Sequence, residues 1–378
     1  ITVAREAIRS AGRLGAEDFL FVPPLVSLLR NRRLKREARQ VLVGYGEGVV
    51  DALAYFLKDR DEDPWVRRHV PGTLSHIPGP RAVAVLVDAL EDPDGFIRYK
   101  ALSALDRLRR DHPELDFPTA PIERSLHAET TRAFSALTLH HNLFVAGGLD
   151  RRCLLSRALE EKHERALNRV FRLLGLLHDP SGIAAVQAAL AEGDGRSRSG
   201  AAEYLDNLLA GDLRKRVMLL AEDLPVDERI RKGNVIFGTR PRDIEDTLAQ
   251  LIHDEDQVIA AAAIQLVERQ GRWSLAGDIE HALAHRDVRD WYVFEASSWA
   301  LAASRMTPER RRQLWLEPLP AVELAERLRH IRLFDFASVN ELFRVASLGR
   351  QARHDADATL YDAGQPPASL QFLLDGRL

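Results

Sequence analysis

Apolar positions recur along most of this chain at the spacing of amphipathic helices. Between Val49 and Lys58, and again between Arg81 and Leu90, hydrophobic residues return every three or four positions, the period of one helix face. Each run ends in an acidic turn, Asp59-Arg60-Asp61-Glu62-Asp63-Pro64 in one case and Glu91-Asp92-Pro93-Asp94-Gly95 in the other, and a second apolar run follows. Pro64 suits a helix start, where its missing N–H costs little. Asp94 suits the cap of a helix opening at Phe96. A short unit marks each second helix: an apolar residue, a cation, two variable residues, then Ala or Val. It occurs as Leu34-Lys35-Arg36-Glu37-Ala38, Val66-Arg67-Arg68-His69-Val70 and Ile97-Arg98-Tyr99-Lys100-Ala101. The leading residues at 34, 66 and 97 stand 32 and 31 residues apart. That period predicts helix pairs that bury their apolar faces only by stacking on one another.

The pattern is interrupted by the proline-rich stretch Asp111 to Pro121, and residues 122–178 read as two longer helices around Ala146-Gly147-Gly148. Pairs resume at Pro180, with Gly182–Leu190 before Arg198–Leu209, and a further helix runs from Arg214 to Glu222. Residues 233–242 read as a loop. Ile244–Ile252 then pairs with Val258–Glu268, Leu275–Ala284 with Tyr292–Ala303, and Val322–His330 leads into the tail. In the tail the period changes. Val339, Leu342, Phe343 and Ala346 share one helical face. Thr359-Leu360-Tyr361-Asp362 then reads as a strand, Asp362 to Pro367 as a turn, and Ser369 to Leu374 alternates with Leu370, Phe372 and Leu374 on one side. Asp375-Gly376 predicts a second hairpin turn.

The paired-helix pattern resembles HEAT repeats. In that family an acidic turn residue and the arginine of the second helix form a ladder along the stack. Asp61 and Arg67, Asp92 and Arg98, and Glu192 and Arg198 each stand six apart and match it. Leu29 occupies the acidic position before Lys35, and Ile259 and Phe294 replace the arginine in the late pairs, so the ladder weakens at both ends. The tail resembles the start of a cyclic nucleotide-binding domain, through Ile331, Leu333, Phe334, Thr359, Leu360, Tyr361, Gly364, Leu370, Phe372, Leu373, Leu374 and Gly376. This resemblance implies the opening helix and first three strands of a β-roll. The family's Gly-Glu…Arg-Ala phosphate cassette does not occur before Leu378, so no complete cyclic nucleotide pocket is expected in this chain. The segments Arg169–Pro180, Ala201–Arg216 and Phe237–Asp256, followed by the tail, resemble the soluble region of bacterial ATP/ADP translocase-like proteins, where HEAT repeats precede a cyclic nucleotide-binding domain. The expected fold is therefore mainly α: a right-handed HEAT/ARM-like solenoid followed by a partial β-roll. The expected sections are repeats over 1–110, a degenerate helical section over 111–179, repeats over 180–330, and the half-domain over 331–378.

Composition narrows the function classes. The 378 residues begin at Ile1, which suggests a segment of a longer protein. A net charge of −3 argues against a global electrostatic footprint for nucleic acid. The single cysteine, Cys153, excludes an intrachain disulfide and fits a reducing, cytoplasmic compartment. No apolar run approaches the ~18 residues that span a bilayer. Arg30, Arg32, Arg33, Lys35, Arg36 and Arg39 place six cations in ten residues, either a solvated helix face or a patch for an anionic partner. His281 and His285 stand i, i+4 near Asp278 and Asp287, but no third ligand follows at motif spacing, so no metal is expected. His140-His141 point to different faces, and Cys153 reads as an inert buried thiol. Trp291, Tyr292, Phe294 and Trp299 read as packing between helices. No Gly-rich phosphate loop, GxSxG or paired zinc spacing occurs.

The expectation is thus a non-enzymatic scaffold with no cofactor in this chain. It would hold a protein partner on the helical array and be coupled, in the complete protein, to sensing of cAMP or cGMP. A membrane domain before Ile1 would make it the regulatory part of a transporter, attached to the membrane through that region, and no nucleic acid partner is expected. Two other readings are a purely structural interaction array with a degenerate nucleotide domain, and a HEAT-like bilin lyase.

Overall fold

The computed structural model describes residues 2–15, 19–286, 290–307, 310, 318–352, 354–355, 358–360, 364 and 369–374. The described residues form helices and connecting turns, with no strand among them. The helices are α1 (Thr2–Leu14), α2 (Val22–Ser27), α3 (Lys35–Gly44), α4 (Val50–Lys58), α5 (Pro64–Leu74), α6 (Pro80–Asp88) and α7 (Gly95–Asp111). Two long helices follow, α8 (Thr119–His140) and α9 (Leu154–Leu177). Next come α10 (Pro180–Glu192), α11 (Gly195–Leu208), α12 (Gly211–Ala221) and α13 (Val226–Phe237). The last six are α14 (Ile244–Ile252), α15 (Gln257–Gln270), α16 (Ala276–His285), α17 (Trp291–Ser304), α18 (Ala321–Leu328) and α19 (Val339–Leu348). The chain forms two compact units, one of residues 1–134 with 165–238, the other of residues 135–164 with 239–378.

In the first unit, α2, α4 and α6 form one row and α3, α5 and α7 a second. The second-row helices α5 and α7 start where the acidic turn supplies a cap, whereas α3 follows Leu34 with no side-chain cap. Asp63 accepts the Trp65 N–H at 2.8 Å and Asp94 accepts the Phe96 N–H at 2.8 Å. The apolar leads of the repeating unit, Leu34, Val66 and Ile97, are all buried, as are Leu42, Leu53, Leu57, Leu74, Leu86 and Leu105. Asp179 and Asp194 cap α10 and α11 in the same way.

The stretch around Gly233, read from sequence as a loop, continues α13 to Phe237 and stops only at Gly238, which takes a left-handed conformation. Gly233 serves close packing rather than a turn. A Cβ there would run into the ring of Phe134, which is buried and stacked on Phe237 with 4.5 Å between centroids.

In the second unit, α14 pairs with α15 and α16 with α17, and α18 and α19 pack on each other and on α15. Every residue from Val258 to Val267 in α15 is buried, because Ala260 to Ala263 let neighbours approach from all sides. Ahead of this region α8 ends in a π-helical turn, His141–Ala146, whose Asn142 side chain donates to the Thr247 hydroxyl at 3.4 Å. The helix read from the tail forms as α19, with Val339, Leu342, Phe343 and Ala346 buried and a capping box between Ser338 and Glu341. Its first N–H groups meet a carboxylate: Val339 donates to both oxygens of Glu161, at 3.1 and 3.0 Å.

The partial β-roll expected after α19 is corrected by the structure. Thr359, Leu360 and residues 369–374 are not strands, and Leu370 and Leu373 are exposed. Phe372 instead packs against Phe334 of the helical core, with ring centroids 5.1 Å apart, and Leu374 is partly buried against the same core. Gly364 does adopt the positive φ of a turn, while Tyr361 and Gly376 lie outside the described residues. The physical reason is that alternation marks a face but supplies no partner. An isolated hairpin is marginal in water, and a strand needs neighbours for its ladder.

Substituting Gly233→Ala should destabilise the protein by about 1–3 kcal/mol, the cost of overpacking a filled core. Replacing Phe134 by Leu in the same chain should recover part of that loss, measured as urea midpoints; equal stability of wild type and Gly233→Ala would contradict the packing assignment.

Candidate interaction surface

The ladder residues predicted from sequence divide by burial. Arg67 and Arg98 are buried, at 8% and 6% exposure. Asp61 and Glu192 are exposed and do not pair with the arginines six residues on. Arg67 reaches forward: its Nη2 donates to Asp92, 25 residues later, at 2.8 Å, and its Nε donates to the Leu57 carbonyl at 3.0 Å. Arg198 repeats the offset, donating to Asp223 at 3.4 Å, again 25 residues on. Arg98 folds under the start of its own helix onto the carbonyls of Asp92 and Pro93, and its Nε lies 3.7 Å from Glu129. Glu129 is buried at 3% exposure and also takes Arg132 at 2.9 Å and Arg169 at 2.8 Å. The arginines thus tie each second helix to the next acidic group along the chain.

The residues that flank these arginines face outward. Trp65, Phe96 and Tyr99 are 48%, 41% and 43% exposed. Arg68 lies between the first two, its guanidinium 5.6 Å from the Trp65 ring and 5.1 Å from Phe96, and it donates to Asp94 through Nε and Nη2. Lys100 sits 5.2 Å from the Phe96 ring and 5.6 Å from Tyr99. Arg172 of α9 covers Tyr99 at 5.6 Å while bonding Asp106 and Ser103. Burial raises the Asp106 carboxyl pKa against the pull of Arg172. Cations and aromatic rings therefore alternate across α5, α7 and α9.

The cationic run of the sequence joins this strip. Arg30 bonds Asp63 at 2.9 Å and Arg39 donates to the Thr73 hydroxyl at 3.2 Å. Arg32, Arg33 and Arg36 are exposed and, with the half-buried Lys35, make no ion pair among the described residues. Two members of the run, Lys35 and Arg39, act on His69 of α5. Burial first, then the charges of Lys35, Arg39 and Lys100, bring its pKa down to about 4. Lys35 and Arg39 come from α3 and Lys100 from α7, so cations of the two second helices flanking α5 act on its one imidazole.

Sequence reasoning named the run at 30–39 but missed Trp65, Arg68, His69, Phe96, Tyr99 and Lys100. A signal was present: 65 and 96, 68 and 99, and 69 and 100 are equivalent positions one period apart, always carrying a large aromatic or basic residue. Elsewhere, Trp291 and Phe294 stack with centroids 5.3 Å apart and are exposed, not packed between helices as expected. His281 and His285 stack at 4.2 Å, with His253 at 5.4 Å from His281, and no metal-holding group occurs among the described residues. Cys153 is half-buried, and burial raises its thiol pKa. No described helix is long and apolar enough to cross a membrane. Of the described nucleotide-domain positions, Phe334 is buried, Phe372 and Leu360 are half-buried, and Gly364 and Leu370 are exposed.

Residues 22–106 match the family model of HEAT repeats. No curated protein matches the chain.

Two outcomes test this geometry. Glu129→Ala leaves Arg98, Arg132 and Arg169 crowded without their shared carboxylate and should cost about 3–5 kcal/mol in chemical denaturation, against less than about 1 kcal/mol for the exposed Glu192→Ala. For His69, the folded pKa of about 4 lies below the ordinary 6.5, so the unfolded chain binds the extra proton between these values. Stability from this group is complete above pH 6.5 and falls as pH drops toward 4. His69→Gln should flatten that limb of the urea-midpoint profile, and an unchanged profile would refute the assignment.

Proposed function

We propose that this chain is a non-enzymatic interaction scaffold that holds an acidic segment of a protein partner across the second helices α3, α5 and α7. HEAT repeats commonly mediate protein interactions, and the matched residues 22–106 contain these three helices. The observation that carries the reading is the convergence of Lys35, Arg39 and Lys100 on His69, next to the exposed rings of Trp65, Phe96 and Tyr99. Surface cations normally solvate or pair. Here Lys35, Arg39 and Lys100 act together on the part-buried His69, adding to the effect of its burial, and an acidic ligand relieves their mutual repulsion. The flanking rings add contact area and stacking at low entropic cost.

An acidic protein segment is preferred to nucleic acid because the basic character is local in a chain of net charge −3. The nucleotide-sensing reading rested on strands that the described tail does not form, and it is not carried further.

A fluorescent peptide carrying several Asp and Glu residues around one or two aromatics should bind the full chain, with affinity falling as salt rises. Charge reversal at Lys35, Arg36 and Lys100 together should weaken it by at least about tenfold, with far-UV circular dichroism unchanged. Docking should also raise the His69 pKa from about 4, so binding should tighten as pH falls below 6.5 and take up a proton. Peptide binding indifferent to the triple reversal, or tighter binding of a single-stranded oligonucleotide, would overturn the proposal.

A further inference from the structure

A second feature of the same unit lies away from this surface. Helices α9 to α13 border a half-open cavity of about 210 Å³. Its apolar wall is formed by Leu167, Phe171, Leu190, Leu220 and Ala221. Its polar lining holds two guanidiniums, Arg198 of α11 and Arg229 of α13, with Gln187, Glu222 and Asp223.

The two arginines are incompletely partnered. Arg229 donates through Nη2 to the carbonyls of Glu222 at 2.7 Å and Leu224 at 3.4 Å. Arg198 reaches Asp223 through Nη1 at 3.4 Å, and the Asp223 side chain is 80% exposed. The Nε–H of each is buried with no acceptor among the described residues. Arg67, at the equivalent position of the earlier repeats, differs. Its Nε–H is satisfied by the Leu57 carbonyl and its carboxylate lies at 2.8 Å. The Arg67 Nε–H is therefore closed by its own repeat, while Arg198 keeps a spare donor where the cavity lies.

A buried donor without an acceptor is costly, so such groups call for a partner. Guanidinium groups match carboxylates best, through paired parallel N–H bonds. The cavity exceeds the roughly 150 Å³ known to admit a benzene ring, so it also has room for an apolar group against Phe171 and Leu220.

We infer that the cavity between Arg198 and Arg229 is a binding site for a carboxylate attached to a small apolar group. The carboxylate meets the two guanidiniums and the apolar group fills the Leu167–Phe171–Leu190–Leu220 side. The ligand displaces Asp223 from Arg198, and Glu222 holds Arg229 in place through its backbone carbonyl. Two sources present this chemistry: a free aryl or alkyl carboxylate, and the C-terminal residue of a peptide.

Titration calorimetry of the full chain with phenylacetate, and with a short peptide ending in a free Phe carboxylate, distinguishes them. At least one should bind with a millimolar or better dissociation constant, and phenylacetamide and the amidated peptide should bind at least about tenfold more weakly. Arg198→Gln with Arg229→Gln should abolish binding. Asp223→Asn, which removes the competing carboxylate from an exposed position and leaves the core intact, should tighten it. No binding of either acid, equal binding of the amides, or weaker binding by Asp223→Asn would overturn the assignment. The acidic peptide used for the α3–α5–α7 surface should bind the Arg198/Arg229 double variant normally, so the two sites can fail separately.

Discussion

The first unit depends on guanidiniums that are buried in one helix pair and neutralised by the next. A charge taken out of water is costly unless it is paired and hydrogen-bonded. Arg67 meets that requirement through the Leu57 carbonyl and through Asp92, 2.8 Å away across the boundary between successive pairs. Arg98 meets it through two carbonyls and Glu129. Apolar stacking alone is tolerant of sliding, since one leucine-rich face fits another in several registers. An ion pair with a fixed donor fork is not tolerant, so the ladder sets the register in which the hydrophobic faces meet.

Much of the helical framework was legible from the chain because its signals are local. The acidic caps Asp63 and Asp94, Pro64 at a first helical position, and the apolar leads at 34, 66 and 97 each act within a few residues. The partner of each ladder arginine was not legible in the same way. Asp61 stands six residues before Arg67 and Asp92 stands 25 after it, and only packing of neighbouring helices selects the second. Gly233 misled for a related reason: a glycine required by a ring from another helix looks the same in sequence as one required by a turn. The tail misled in the opposite direction. Alternation at Leu370, Phe372 and Leu374 describes a strand only if another strand receives its hydrogen bonds, and the packing of Phe372 on Phe334 gives that side chain a helical neighbour instead.

The surface reading rests on a difference between global and local charge. The chain as a whole is slightly acidic, which removes the long-range attraction that a basic protein exerts on polyanions. Within reach of His69 the balance reverses: Lys35, Arg39 and Lys100 add to burial in lowering the imidazole pKa. Half-exposed aromatic rings at repeat-equivalent positions then convert a periodic sequence into a periodic surface, with a ring or cation offered once per helix pair. A partner that lies along such a surface is read in steps of one pair.

Because each ladder bond joins one pair to its successor, Glu129 has a role of its own. Its neighbours Arg98, Arg132 and Arg169 come from α7, α8 and α9, so the acceptor for the last arginine of the regular series sits inside a long helix and not in an acidic turn. It works as a terminator: the periodic register ends against a fixed stop. Everything before that stop is modular, since excising one full period would offer the preceding cation the same kind of acidic turn it had before. The number of pairs ahead of Glu129 is thus a quantity that duplication or loss of whole periods could change without redesigning the end of the array.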